Sequence, residues 1–230
     1  MILEKRFYMI NKVQIIGKVL QRPEFYYTKD KILIGDIIIQ TYNSKLDIFD
    51  EFKISLVGTQ ASASKIISCK ENDLIYVEGR LTSTYRTRKS DGFKFLDHRI
   101  VVNSVRFWDD GLTHAKSSGD FGISSFLLIG TIKKPLFFES FNEKNIAKIG
   151  VETFIPAKPN PIVDYAEITV PSSMVEKFEK LNANEVVTIS GNLNGTAVQG
   201  HNVVFYNLRA SAFNAESTEL YFDYPIDQSL

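Results

Sequence analysis

The chain has 230 residues, enough for one large or two ordinary domains, and its 44% apolar content is that of a globular protein. No apolar run reaches about 18 residues, the start MILEKRFYMINK is too charged for a secretory signal, and Cys69 is alone; no membrane span, signal peptide or internal disulfide is therefore expected, and the expected location is the cytoplasm. Net charge is zero but unevenly divided: residues 1–110 carry 18 Lys+Arg against 14 Asp+Glu, residues 111–230 carry 9 against 13, so a local basic field survives on the leading half.

Runs rich in Ile, Val and aromatics predict strands at Val13–Leu20, Ile32–Thr41, Phe52–Val57, Leu74–Leu81 and Arg99–Phe107, with a short helix over Gln60–Ser68 between the third and fourth. Asp109–Gly122, rich in Gly, Ser and charge, reads as a linker. The pattern then returns. VQIIGKVLQRPEFYYT (13–28) is echoed by FLLIGTIKKPLFFES (126–140), NDLIYVEGRL (72–81) by NEVVTISGNL (184–193), and HRIVV (98–102) by HNVVF (201–205). Three matched pairs in one order describe a duplicated domain. In the second copy IPAKPNPI (155–162) must be a loop, Ser173 and Glu176 fit a capping box, and Val175, Phe178 and Leu181 line one helical face. The expected organisation is a first domain over 1–110, a linker over 111–122, a second domain over 123–214 and an acidic tail over 215–230.

Three strands, a helix and two strands, with a glycine inside the first strand (Gly17, Gly130), suit a five-stranded Greek-key barrel of the OB type. The fold class expected is therefore mainly β: two tandem OB barrels, each with a short helix between its third and fourth strands. Alternation puts Phe52, Ile54 and Leu56 in the core and Glu51, Lys53, Ser55 and Val57 on the outer face. On the second strand Ile37 and Ile39 point in, and Asp36, Ile38 and Gln40 point out.

Enzyme signatures are missing: there is no Gly-rich phosphate loop, GxSxG, HExxH or CxxC, and the three histidines and one cysteine lack metal-ligand spacing. No cofactor, metal or catalysis is expected. The strongest positive feature is RLTSTYRTRKSDGFK, Arg80 to Lys94, read as a long loop. It holds Arg80, Arg86, Arg88, Lys89 and Lys94 interleaved with Tyr85 and Phe93. Cations follow a phosphate backbone and rings stack on unpaired bases; a solvated hairpin whose rings pack back on the barrel is the alternative. The counterpart NGTAVQG (194–200) is uncharged and reads as a trimmed loop, which leaves assembly or partner contacts to the second copy.

These motifs carry a resemblance. NKVQIIGKVLQRPEFYYT (11–28), DEFKISLVG (50–58), LIYVEGRL (74–81) and IVVNSV (100–105) resemble, in order, segments of bacterial single-stranded-DNA-binding proteins over about residues 9–108. The resemblance implies sequence-tolerant single-stranded-DNA binding in replication, repair or recombination, and assembly to four OB folds, here as a homodimer. The family's stacking Trp falls on Glu51 and its neighbouring Phe on Val57, while Lys53 and Tyr27 match the family's Arg and Tyr and Tyr26 stands at an Arg position. The Trp of the basic hairpin falls on Arg86, or on Tyr85 after a one-residue shift; in the second copy Tyr165 takes the place of Glu51 and Glu167 that of Lys53. Weaker binding than the family norm, or a displaced DNA path, is expected. Lys12, Tyr27, Tyr42, Lys53, Arg80, Tyr85, Arg86, Arg88, Lys89, Phe93, Lys94 and Tyr165 are the expected nucleic-acid contacts, Tyr42 with the alternative of closing the barrel. ELYFDYPIDQSL at the end is similar to the family's partner-docking tail through Asp223, Pro225, Ile226 and Asp227, against packing of its rings on a barrel edge. A protein-interaction scaffold with weak or no DNA binding is the rival reading, and RNA is a third.

Overall fold

The computed structural model describes residues 9–43, 47–58, 67–87, 92, 94–107, 122–141, 144–155, 160–199 and 204–217. The first copy contributes β1 (Ile10–Val19), β2 (Glu24–Tyr27), β3 (Leu33–Asn43), β4 (Ile48–Gly58), β5 (Leu74–Thr87) and β6 (Lys94–Phe107). Strand β1 pairs with β5, β5 with β6, β6 in parallel with β4, β4 with β3, and β3 closes on β1. This is the expected five-stranded barrel, with β2 added at the edge of β3. The second copy repeats it with β7 (Ile123–Phe141), β8 (Lys144–Ile155), β9 (Ile162–Val170), β10 (Val186–Gln199) and β11 (Val204–Ser217). The second domain thus continues past Asn214, and the proline loop falls between β8 and β9.

Closure requires a close crossing. A Cβ on Gly17 would lie 2.4 Å from the Ile39 side chain and 2.6 Å from the Gln40 carbonyl, so only glycine lets β1 bend onto β3. Gly130 meets Glu152 in the same way, at 2.5 Å. The helix of the second copy is short, Ser172–Met174 as a 3₁₀ turn followed by Val175–Phe178. Its expected capping box is not formed, since no side chain caps either segment; burial of Phe178 and Leu181 holds it instead. The helix expected over 60–68 lies mostly outside the described residues.

Strands β1 and β7 pair antiparallel from Ile10↔Ile129 to Ile16↔Ile123. The barrels therefore join edge to edge in one sheet. Val13 pairs with Phe126, and these are equivalent residues: each stands four before its barrel's glycine and opposite Gly79 or Gly191. An approximate two-fold axis runs between them. The core is one cluster through both barrels, with Phe52, Ile54, Phe178 and Leu193 fully enclosed; each such side chain contributes roughly 1.5–3 kcal/mol. Ile38, expected outside, is buried.

Candidate nucleic-acid interface

Two ribbons project from the joined barrels. The segment Arg80 to Lys94 is expected to be a long loop; its described residues instead continue the β5–β6 ladder, unbroken from Leu81↔Ile100 to Thr87↔Lys94. The second ribbon is not trimmed either. Strands β10 and β11 are as long as β5 and β6, 14 residues each, and stay paired to Gln199↔Val204. Gly195 misleads a sequence reading because it resembles a turn residue. Its real role is close approach: a Cβ there would lie 2.3 Å from the Glu51 carbonyl, where β10 crosses β4. Both ribbons alternate buried and outward residues as far as Ser83 and Gly195, then become exposed. They differ in side chains, not in backbone length.

Each ribbon crosses the outer face of the other barrel. At the first crossing Arg80 Nη1 donates to both carboxylate oxygens of Asp164 on β9, at 2.9 and 2.7 Å. The two side chains are only 17% and 7% exposed. Asn11 of β1 completes the joint, bonding Leu81 through N–H and C=O and reaching Thr153 and Asp164. Arg80 is thus an interdomain clamp rather than an open phosphate contact, because its charge is matched and enclosed. At the second crossing Asn192 replaces Arg80, and Asp50 accepts from the Gly195 N–H at 3.0 Å. Burial pushes the Asp50 carboxyl up, and that N–H opposes the shift.

Beyond the clamp lies a dense polar cluster. Glu167 of β9 is 4% exposed. Its Oε1 accepts from the Tyr85 hydroxyl at 2.8 Å and the Tyr165 hydroxyl at 3.1 Å. Lys134 and Lys148 stand 3.8 and 3.9 Å from the same carboxylate, Lys148 also pairs with Glu139, and the Lys134 ammonium lies 3.3 Å above the Phe137 ring. The Glu167 N–H donates to Ser83 Oγ, which shares a 2.7 Å hydrogen bond with His98 Nδ1. Burial, then Glu167, raises the Tyr85 hydroxyl to about 12; burial, then Lys148, lowers His98 to about 4. Burial raises Tyr165 as well. Yet the Tyr85 residue remains 61% exposed, so its ring is open while its hydroxyl is held.

On the outer face of the first barrel the same positions carry the opposite polarity. Lys53 of β4 pairs with Asp36 of β3 at 2.9 Å, and Ser55 donates to Asp36. Glu167 and Lys148 occupy the equivalent places with the signs exchanged. Gln40 donates to Glu51 at 3.3 Å. Tyr42 and Phe49, opposite each other in the register, stack at 4.6 Å between centroids. Phe49 is exposed, as are Tyr26 and Tyr27 on β2.

Several expected contacts are already engaged. Lys12 pairs with Glu78 at 3.2 Å and Arg86 with Asp97 at 2.7 Å. Burial would raise Glu78, but the bonds from Lys12 and Tyr76 hold its carboxyl below its ordinary value. Both cations stay more than 40% exposed, and Lys94 is exposed at the ribbon's end. Arg88, Lys89, Phe93 and the tail residues Asp223, Pro225, Ile226 and Asp227 lie outside the described residues. Sequence reasoning passed over Phe49, Phe95, Lys134, Lys148 and Asp164. For Phe49 a signal existed, since it shares the outer face of Glu51 and Lys53 at period two. Among the described residues no group of His, Cys, Asp and Glu is placed to hold a metal, and no helix is long and apolar enough to cross a membrane.

Residues 10–108 match the model of the Single-strand binding protein family. Among solved structures the chain is similar to the wild-type single-stranded DNA binding protein of Thermus aquaticus, at 18% identity and TM-score 0.62, over 95% of this chain and 98% of that one. A shortened variant of the same Thermus aquaticus protein gives 17% identity and TM-score 0.61 over 96% and 99%. At these identities the likeness concerns the fold, and it extends over both barrels. No curated protein sequence matches the chain.

Proposed function

We propose, for a chain that belongs through its leading barrel to the single-strand binding protein family, sequence-tolerant binding of single-stranded DNA by base stacking and phosphate neutralisation. Membership implies single-stranded-DNA binding without catalysis. The stacking and phosphate contacts, and a place in replication, repair or recombination, are our reading. One observation carries it: the family match spans the whole of the first barrel, β1 to β6, and that barrel's ribbon presents the open ring of Tyr85 with Lys94 on the same face. Rings accept any base, at about 1–3 kcal/mol for each one stacked, and lysines and arginines follow the phosphates. Tyr27, Tyr42 and Lys53 extend the path over the first barrel, and Tyr165 over the second; Lys12, on the outer face of the β1–β7 junction, is left to the assembly.

Two chains would bring four barrels together. The outer face of the β1–β7 junction sets Ile10, Ile16, Ile123, Leu127 and Ile129 around Lys12, Gln14 and Ser125, and this mixed surface is proposed to receive a second copy. The tail, through Asp223, Pro225, Ile226 and Asp227, is proposed to dock replication or repair proteins.

The scaffold reading is favoured by one observation: Lys12, Lys53, Arg80 and Arg86 each pair with an acid of this same chain. Titration with labelled oligo(dT) and with duplex of equal length, at low and moderate salt, separates the two. Salt-sensitive preference for the single strand supports DNA binding; binding to neither supports the scaffold.

A further inference from the structure

The polarity exchange between the barrels has a chemical consequence. A carboxylate as enclosed as that of Glu167 is costly unless donors surround it. Here two phenols from different barrels and two ammonium groups do so. Tyr85 arrives on the first ribbon and Tyr165 from β9, and both hydroxyls bond the same oxygen. At the equivalent place of the first barrel stands Lys53, a donor, paired with Asp36. No tyrosine of the second ribbon's outgoing strand could meet it there, for Ala197 stands where the first ribbon has Tyr85.

We propose that Glu167 is a positioning residue: it fixes Tyr85 and Tyr165 by their hydroxyl ends, so that the two barrels together present one stacking platform for unpaired bases, with Lys134 at its border for phosphate. This rests on the single-strand reading above and adds to it a composite site, present once per chain. Rings held before the ligand arrives lose less freedom on binding, which strengthens the complex. Lys148 is more enclosed than Lys134, with its side chain 16% exposed against 44%. It balances the carboxylate, while Lys134 keeps its ammonium within reach of solvent.

The test uses the full chain, labelled oligo(dT) and four variants. Glu167→Gln should weaken binding about five- to tenfold. Tyr85→Phe with Tyr165→Phe, which keeps both rings and removes both hydroxyls, should cost about the same. Adding Glu167→Gln to that pair should cost nothing more, because the three groups act as one unit. Ultraviolet crosslinking followed by mass spectrometry should mark peptides containing Tyr85 and Tyr165 in the wild type, with both marks reduced in Glu167→Gln. Replacing Lys134 by Ala should lower the salt dependence without moving the crosslinks. Losses that multiply rather than coincide, or wild-type affinity and crosslinks in Glu167→Gln, overturn the platform while leaving single-strand binding intact. Should Glu167→Gln misfold, the tyrosine pair and the crosslinks decide alone. No binding of oligo(dT) by the wild type overturns both readings.

Discussion

The two crossings share a backbone and differ in chemistry. At the first, Arg80 clasps Asp164, Ser83 meets His98, and Tyr85 bonds Glu167. At the second, the equivalent residues are Asn192 with Asp50, Gly195 opposite Leu208, and Ala197 with Lys53. The ladders are equally long, and the bulges fall at the same step, between Glu78 and Gly79 and between Ser190 and Gly191. Duplication has therefore kept the scaffold that joins the barrels and changed the side chains that one half offers to a ligand. The lesson is that backbone symmetry and surface chemistry answer to different constraints. Close strand crossings tolerate only certain residues, whereas an exposed ring can be lost without harm to the fold.

Breaking the clamp should have the largest effect. Arg80→Ala leaves Asp164 enclosed without its cation and should lower stability by about 3–5 kcal/mol, read from denaturant midpoints. Asn192→Ala at the other crossing should stay within about 0.5 kcal/mol, and equal losses would erase the asymmetry. Gly195→Ala should cost about 2 kcal/mol, since its methyl would meet the β4 backbone. The first ribbon carries a Cβ at the corresponding Ser83, so the penalty belongs to one crossing only.

The third prediction concerns pH. Burial and Lys148 hold the His98 imidazole neutral down to about 4, against 6.5 in the unfolded chain. The unfolded state therefore takes up a proton first. The associated stability is complete above about pH 6.5 and is lost as pH falls toward 4, on the order of 3 kcal/mol in all. His98→Leu, which installs the second ribbon's own residue, should remove that dependence; melting curves at stepped pH would reveal it. The smallest effect is on salt. Lys94→Ala should weaken oligo(dT) binding slightly and reduce the logarithmic salt slope by about 1.

How much of this could be read in the sequence depends on how local each feature is. Strands, the glycine bends at Gly17 and Gly130, and the core face of Phe52, Ile54 and Leu56 all show within a few residues. The repeat also gave the correspondence of Tyr165 with Glu51 and of Glu167 with Lys53, which the strand registers bear out; its match of HRIVV with HNVVF is overturned, since the ladders set Leu208, not His201, at the place of His98. The clamp did not show, because Arg80 and Asp164 stand 84 residues apart and neither position announces a partner. Nor did the length of the ribbons, since Thr84, Arg86 and Thr87 are polar on both sides once the ladder leaves the barrel and alternation ceases. The β1–β7 junction was invisible for a related reason: a strand edge looks the same in sequence whether it meets water or another edge.

The most direct test of the account compares two exposed rings of the leading copy, one at each crossing. Tyr85→Ala and Phe49→Ala, titrated with labelled oligo(dT) at low salt, remove an exposed ring from the ribbon site and from the first barrel's face. The account predicts a loss of about tenfold or more for Tyr85→Ala and less than about threefold for Phe49→Ala. Undiminished binding by Tyr85→Ala, with the larger loss at Phe49, would contradict it.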